Sequence, residues 1–92
     1  MAASTSRPTE TLTLEYPILV DGVKVDSIAI RRPTVRDMLT FERSKDIESV
    51  KVVKLLATLA EIAPSDIEQM DQADFLAAMD IFKGFQSTPE ES

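Results

Sequence analysis

Between Leu12 and Thr34 the chain reads Leu-Thr-Leu-Glu-Tyr-Pro-Ile-Leu-Val-Asp-Gly-Val-Lys-Val-Asp-Ser-Ile-Ala-Ile-Arg-Arg-Pro-Thr. Leu12, Leu14, Tyr16, Ile18 and Val20 alternate with other residues, so they fall on one face of a strand. Asp21-Gly22 then supplies the two positive-φ positions of a type I′ turn. A second apolar run ends at Arg31-Arg32-Pro33, where proline can no longer donate to a ladder. This pattern predicts a β-hairpin over residues 10–31. A turn at Asp21-Gly22 pairs Val20 with Val23 and Ile18 with Val25, and the same register turns Ile28 and Ile30 to the opposite face. A bulge near Asp26-Ser27 would restore them to the core side. Tyr16 is expected to pack on the inner hairpin face, and Pro17 to face outward along an edge.

After Pro33 the periodicity changes to that of helices. Thr34-Val-Arg-Asp37 is a capping box with Asp in place of Glu, opening a helix at about 35–44 with Val35, Met38, Leu39 and Phe41 as its apolar residues. A second helix is expected at about 47–62, capped by Ser44 or Asp46 and terminated by Pro64. Its apolar stripe is wider than a one-sided surface helix needs. Ser65-Asp-Ile-Glu68 reads as a capping box for a short helix at 65–70, and Asp71-Gln-Ala-Asp74 as the cap of a last helix at 72–85. The expected class is α+β: an N-terminal antiparallel hairpin followed by three to four helices. Residues 10–85 form one domain in this reading, with tails at 1–9 and 86–92.

The chain has no His, Cys or Trp among 92 residues. Disulfides, zinc fingers, and thiol or imidazole catalysis are thereby excluded. Two glycines, neither in a Gly-rich run, offer no phosphate loop. No cofactor and no catalytic or metal site is expected, and the chain does not read as an enzyme. Asp66, Glu68, Asp71 and Asp74 lack the ligand spacing of a calcium loop and are read as helix-start residues. No stretch approaches the ~20 apolar residues of a membrane span, and the N-terminus lacks the apolar core of a signal peptide.

The net charge of −6 is unevenly spread. Residues 31–54 carry seven basic and four acidic groups, whereas 55–92 carry one basic and eight acidic groups. The acidic half argues against nucleic acid as a ligand. A basic middle beside an acidic end leaves self-association open. Arg31, Arg32 and Arg36 form the dense basic cluster, fit either for a bidentate carboxylate or phosphate clamp or for pairing with acidic groups of this chain or a neighbour. Val52, Leu55, Leu59, Phe75, Met79, Phe82 and Phe85 supply apolar helix faces that serve the core or dock an apolar partner segment.

The hairpin and its exit resemble the tail assembly chaperones of long-tailed bacteriophages, most closely the short chaperones of Mu-like phages and prophages. The matching residues are Leu14, Tyr16, Pro17, Asp21, Gly22, Ile28, Ile30, Arg31, Arg32, Pro33, Thr34 and Asp37, with Ile67, Met70, Asp71, Asp74 and Phe75 later. Family members often carry a Gly before the final helices, where this chain has Ala60-Glu-Ile-Ala-Pro64. The resemblance implies a non-enzymatic assembly factor of the bacterial host cytoplasm that binds the tape measure protein and keeps it soluble, often made in short and frameshifted forms. Two other readings stay open from the residues: an acidic inhibitor or DNA mimic built on residues 61–80, and a structural tail subunit.

Overall fold

The computed structural model describes residues 9–86. Strands β1 (Thr9–Val20) and β2 (Val23–Arg31) precede helices α1 (Val35–Arg43), α2 (Glu48–Ala60), α3 (Pro64–Ile67) and α4 (Gln72–Gln86). The α+β class with an N-terminal hairpin is as the sequence predicts. Apart from Thr9, which opens β1, and Gln86, which closes α4, the expected tails at 1–9 and 86–92 lie outside the described residues.

The hairpin turns at Asp21 (φ 53°) and Gly22 (φ 78°), both left-handed as a type I′ turn requires. Val20 faces Val23 and Ile18 faces Val25, the pairs the turn dictates. The bulge, however, lies in β1 and not at Asp26-Ser27. Pairing resumes with Thr13 opposite Ser27, so Leu14 to Pro17 stand against Asp26 alone. Pro17 has no N–H to give, which places the interruption on its own strand. The phase shift still serves the expected end: Leu14, Ile18, Ile28 and Ile30 are all buried. Tyr16 is the casualty. The bulge rotates it out of the inner face, and it is 61% exposed.

A bulge leaves backbone donors without ladder partners. Here a side chain from α4 receives them. The Asp74 carboxylate accepts from the N–H groups of Glu15 (3.0 Å) and Tyr16 (3.1 Å), and the residue is only 3% exposed. Asp71 alone performs the capping that the sequence divides between Asp71 and Asp74, accepting from the Ala73 N–H at 3.0 Å. The positive end of α4 favours the Asp74 charge while the strand uses its oxygens. Gln69 extends the same edge: its amide accepts from the Leu19 N–H at 3.1 Å and donates to the Leu19 carbonyl at 2.8 Å. An exposed strand edge invites foreign pairing, and these two side chains occupy part of the one on β1.

Thr34 and Asp37 form the predicted capping box at α1: Thr34 Oγ1 accepts from the Asp37 N–H and Asp37 accepts from the Thr34 N–H at 2.8 Å. The cap of α2 differs from expectation. Ile47 occupies that position with no side-chain bond, while Asp46 turns away to Ser44 and to Lys54, 2.7 Å distant. Nor does Pro64 end α2. The helix closes at Ala60 through Glu61 in the left-handed region (φ 59°), with the Ile62 N–H bonded to the Ala57 carbonyl and the Glu61 N–H to that of Thr58. That is a Schellman motif with Glu where glycine is preferred. Pro64 is instead the first residue of α3, its fixed φ suited to that place. The Ala63 N–H donates to Asp66, so the box expected at Ser65–Glu68 forms two residues earlier and only by its acidic half.

The core lies between the inner hairpin face and the helices. Leu14, Ile18, Ile28 and Ile30 meet Leu55, Leu56, Ala57 and Leu59 of α2, Ile67 of α3, Met70, and Ala78 of α4. Ile30, Leu56, Leu59 and Ala78 are essentially fully enclosed. Each large one contributes about 1.5–3 kcal/mol by leaving water. Helix α2 packs on β2, α4 on β1, and α1 on α2.

Candidate functional site

The apolar residues singled out by the sequence separate into three groups. Val52, Leu55, Leu59, Met79 and Phe82, with Leu56, form a seam between α2 and α4 that holds no space for water. Leu55 and Leu59 are buried there, and Val52, Met79 and Phe82 are half-buried. Val52 also reaches a second place. With Val53, Ile67, Met70 and Phe75 it lines an open groove of about 350 Å³ between α2 and the α3–α4 turn, rimmed by Glu68 and Gln72. Phe85 belongs to a third, a groove of about 310 Å³ where the end of α4 meets α1, lined also by Pro33, Val35, Met38 and Leu39.

The arginine cluster resolves into separate roles. Arg31 makes a bidentate pair with Asp37, its guanidinium nitrogens 2.7 and 3.2 Å from the two carboxylate oxygens. Glu61 stands 3.8 Å from the same guanidinium. The Arg31 hydrogen bond, helped by Thr34, holds the Asp37 carboxyl down to about 2 despite partial burial. Arg31 thereby fastens the exit of β2 to the first turn of α1. The Arg32 guanidinium lies over the Phe85 ring, 5.9 Å from its centroid, and walls the α1–α4 groove. Arg36 is exposed on α1.

Three of the acidic residues behind the inhibitor reading are engaged inside the fold. Asp66 and Asp71 accept backbone N–H groups at helix starts, and Asp74 is buried against β1. Among the described residues no group of three or more acidic side chains is placed to hold a metal ion. No helix among them is long and apolar enough to cross a membrane. Sequence reasoning named Val35 and Leu39 only as helix residues. The structure leaves both exposed, at 77% and 46%. Their exposure depends on which elements cover α1, which no local pattern specifies.

The described surface thus offers open, largely apolar grooves on a small scaffold. Residues 11–87 match the family model described as phage tail assembly chaperone proteins, E, or 41 or 14, and the chain belongs to that family. No curated protein and no solved structure matches the chain. Membership implies a role in assembling phage tails through a protein partner, and points to a non-enzymatic one.

Proposed function

We propose that this protein binds the tape measure protein in the bacterial host cytoplasm and keeps it soluble until the tail tube forms around it. The observation that carries the reading is the family match over residues 11–87, nearly the whole described chain. The two open grooves support it physically. A long apolar client aggregates unless its apolar stripes are covered, and helix-in-groove docking covers them without chemistry. Val52 and Phe75 in one groove, and Phe85 in the other, are the sequence-derived candidates that face open space. Leu55, Leu59, Met79 and Phe82 line the closed α2–α4 seam, which shares Val52 with the first groove.

The test is co-expression with the tape measure protein of the same phage. A soluble complex that co-purifies is the expected result. A tape measure protein that aggregates equally with and without this chain, and never co-purifies, overturns the proposal. A third outcome, recovery of this chain in purified virions, would identify a structural tail subunit instead.

A further inference from the structure

A further groove, of about 450 Å³, lies between α1 and α2, with Phe41 and Leu55 as its apolar lining. Five charged residues also line it: Asp37, Arg43, Asp46, Lys51 and Lys54. Both acidic ones are taken, Asp37 by Arg31 and Asp46 by Lys54, each at 2.7 Å. Arg43 and Lys51 enter no ion pair among the described residues. The Lys51 ammonium stands 4.6 Å from the centre of the Phe41 ring, which attracts a cation but supplies no counter-charge. Two uncompensated cations thus share one concavity on a chain of net charge −6.

The opposite surplus lies on α4. Glu10 of β1 and Asp80 of α4 line one shallow groove that contains no basic residue. Neither carboxylate enters an ion pair among the described residues. One turn before Asp80, and on the same side of the helix, Leu76 is 53% exposed. The outer ridge of α4 is therefore apolar at one turn and acidic at the next. We infer that the α1–α2 groove of one copy receives the α4 ridge of a second copy, with Leu76 against Phe41 and Leu55, and Asp80 and Glu10 toward Lys51 and Arg43. Charge complementarity chooses this occupant, since each surface carries the charge the other lacks. A nucleic-acid backbone would bring many phosphates against a chain that is acidic elsewhere. Groove and ridge are different surfaces, so the contact is head-to-tail and leaves a free groove and a free ridge at the ends of each assembly. One ridge on one groove is at the small end of protein interfaces, which makes the association weak and dependent on concentration. Copies of like net charge repel at long range, but at about 0.15 M salt screening acts beyond about 8 Å and spares pairs in contact. The inference goes beyond the client-binding reading and does not depend on it.

The experiment measures the mass of the full chain by sedimentation equilibrium from about 10 μM to about 1 mM at about 0.15 M salt. The expected mean mass rises with concentration and passes that of a dimer, and the association weakens at about 1 M salt. Lys51→Glu and Asp80→Lys, each alone, should associate roughly tenfold more weakly. Mixing the two should restore association, because the intact ridge of the first meets the intact groove of the second. Urea midpoints confirm that the variants fold, and Arg43→Glu with Glu10→Lys repeats the test should either of the first pair fail to. Wild type that stays monomeric throughout overturns the inference, as does a mass that stops at the dimer. Variants that associate like wild type, or a mixture no stronger than its components, overturn the assigned surfaces. Lys51→Glu that leaves self-association intact but weakens binding of the tape measure protein would identify the client as the occupant and also overturn the inference.

Discussion

Replacing Asp74 by Asn changes one oxygen to an amide nitrogen and asks whether the β1 bulge depends on a carboxylate. The two acceptor contacts, 3.0 Å from the Glu15 nitrogen and 3.1 Å from that of Tyr16, are shielded from water, since the residue is 3% exposed. An asparagine keeps one acceptor and turns an NH2 donor toward the other N–H. One charge-assisted bond, worth about 1.5–3 kcal/mol, is lost, and an enclosed donor is left without a partner. Opposing this, the variant no longer holds a charge out of water, which relieves a desolvation cost. Hydrogen bonding should win because the first turn of α4 already favours the anion. The expected net loss is about 2–3 kcal/mol, a large part of the ~5–14 kcal/mol that a chain of this size ordinarily commands. In thermal terms that is a melting point lower by roughly 10–20 °C. Urea unfolding should show a lower midpoint at unchanged slope. Native-state hydrogen exchange should show faster exchange at the Glu15 and Tyr16 amides than at the Ile18–Val25 ladder. An Asp74→Asn midpoint equal to or above wild type, or unchanged exchange at those two amides, would refute the reasoning.

Three further outcomes follow from the geometry. Glu61→Gly removes a side chain from a left-handed position and should raise stability by roughly 0.5–1 kcal/mol in urea unfolding, because the 3.8 Å contact it forfeits to Arg31 is long and exposed. Asp37 titrates near 2 in the folded chain against an ordinary 3.8, so its contribution is complete above 3.8 and disappears as pH falls through 2; wild type should lose about 2 kcal/mol across that window, and Asp37→Asn should lack that component of the pH dependence. Ala78 is fully enclosed in the core, so Ala78→Leu should cost about 1–3 kcal/mol by overpacking, whereas Leu76→Ala on the exposed side of the same helix should shift the urea midpoint little.

The sequence alone determined what depends on neighbours along the chain. Alternation and Asp21-Gly22 specified the turn and the first two pairs, because a two-residue loop leaves no freedom of register. Thr34 and Asp37 specified the start of α1, because a capping box closes within four residues. The need for a bulge was legible as well, from the phase slip between Val25 and Ile28. Its strand was not, because either strand can take up an odd number of residues. What settled it is an acceptor some sixty residues away, since Asp74 can satisfy the orphaned donors of Glu15 and Tyr16 only when α4 lies beside β1. The tertiary structure likewise decided which apolar residues stay open to solvent. Leu55 and Leu59 look as available in sequence as Val35 and Leu39, but packing encloses the first pair and leaves the second in the open. Periodicity determines that a helix has an apolar face; only the arrangement of the other elements determines whether anything covers it.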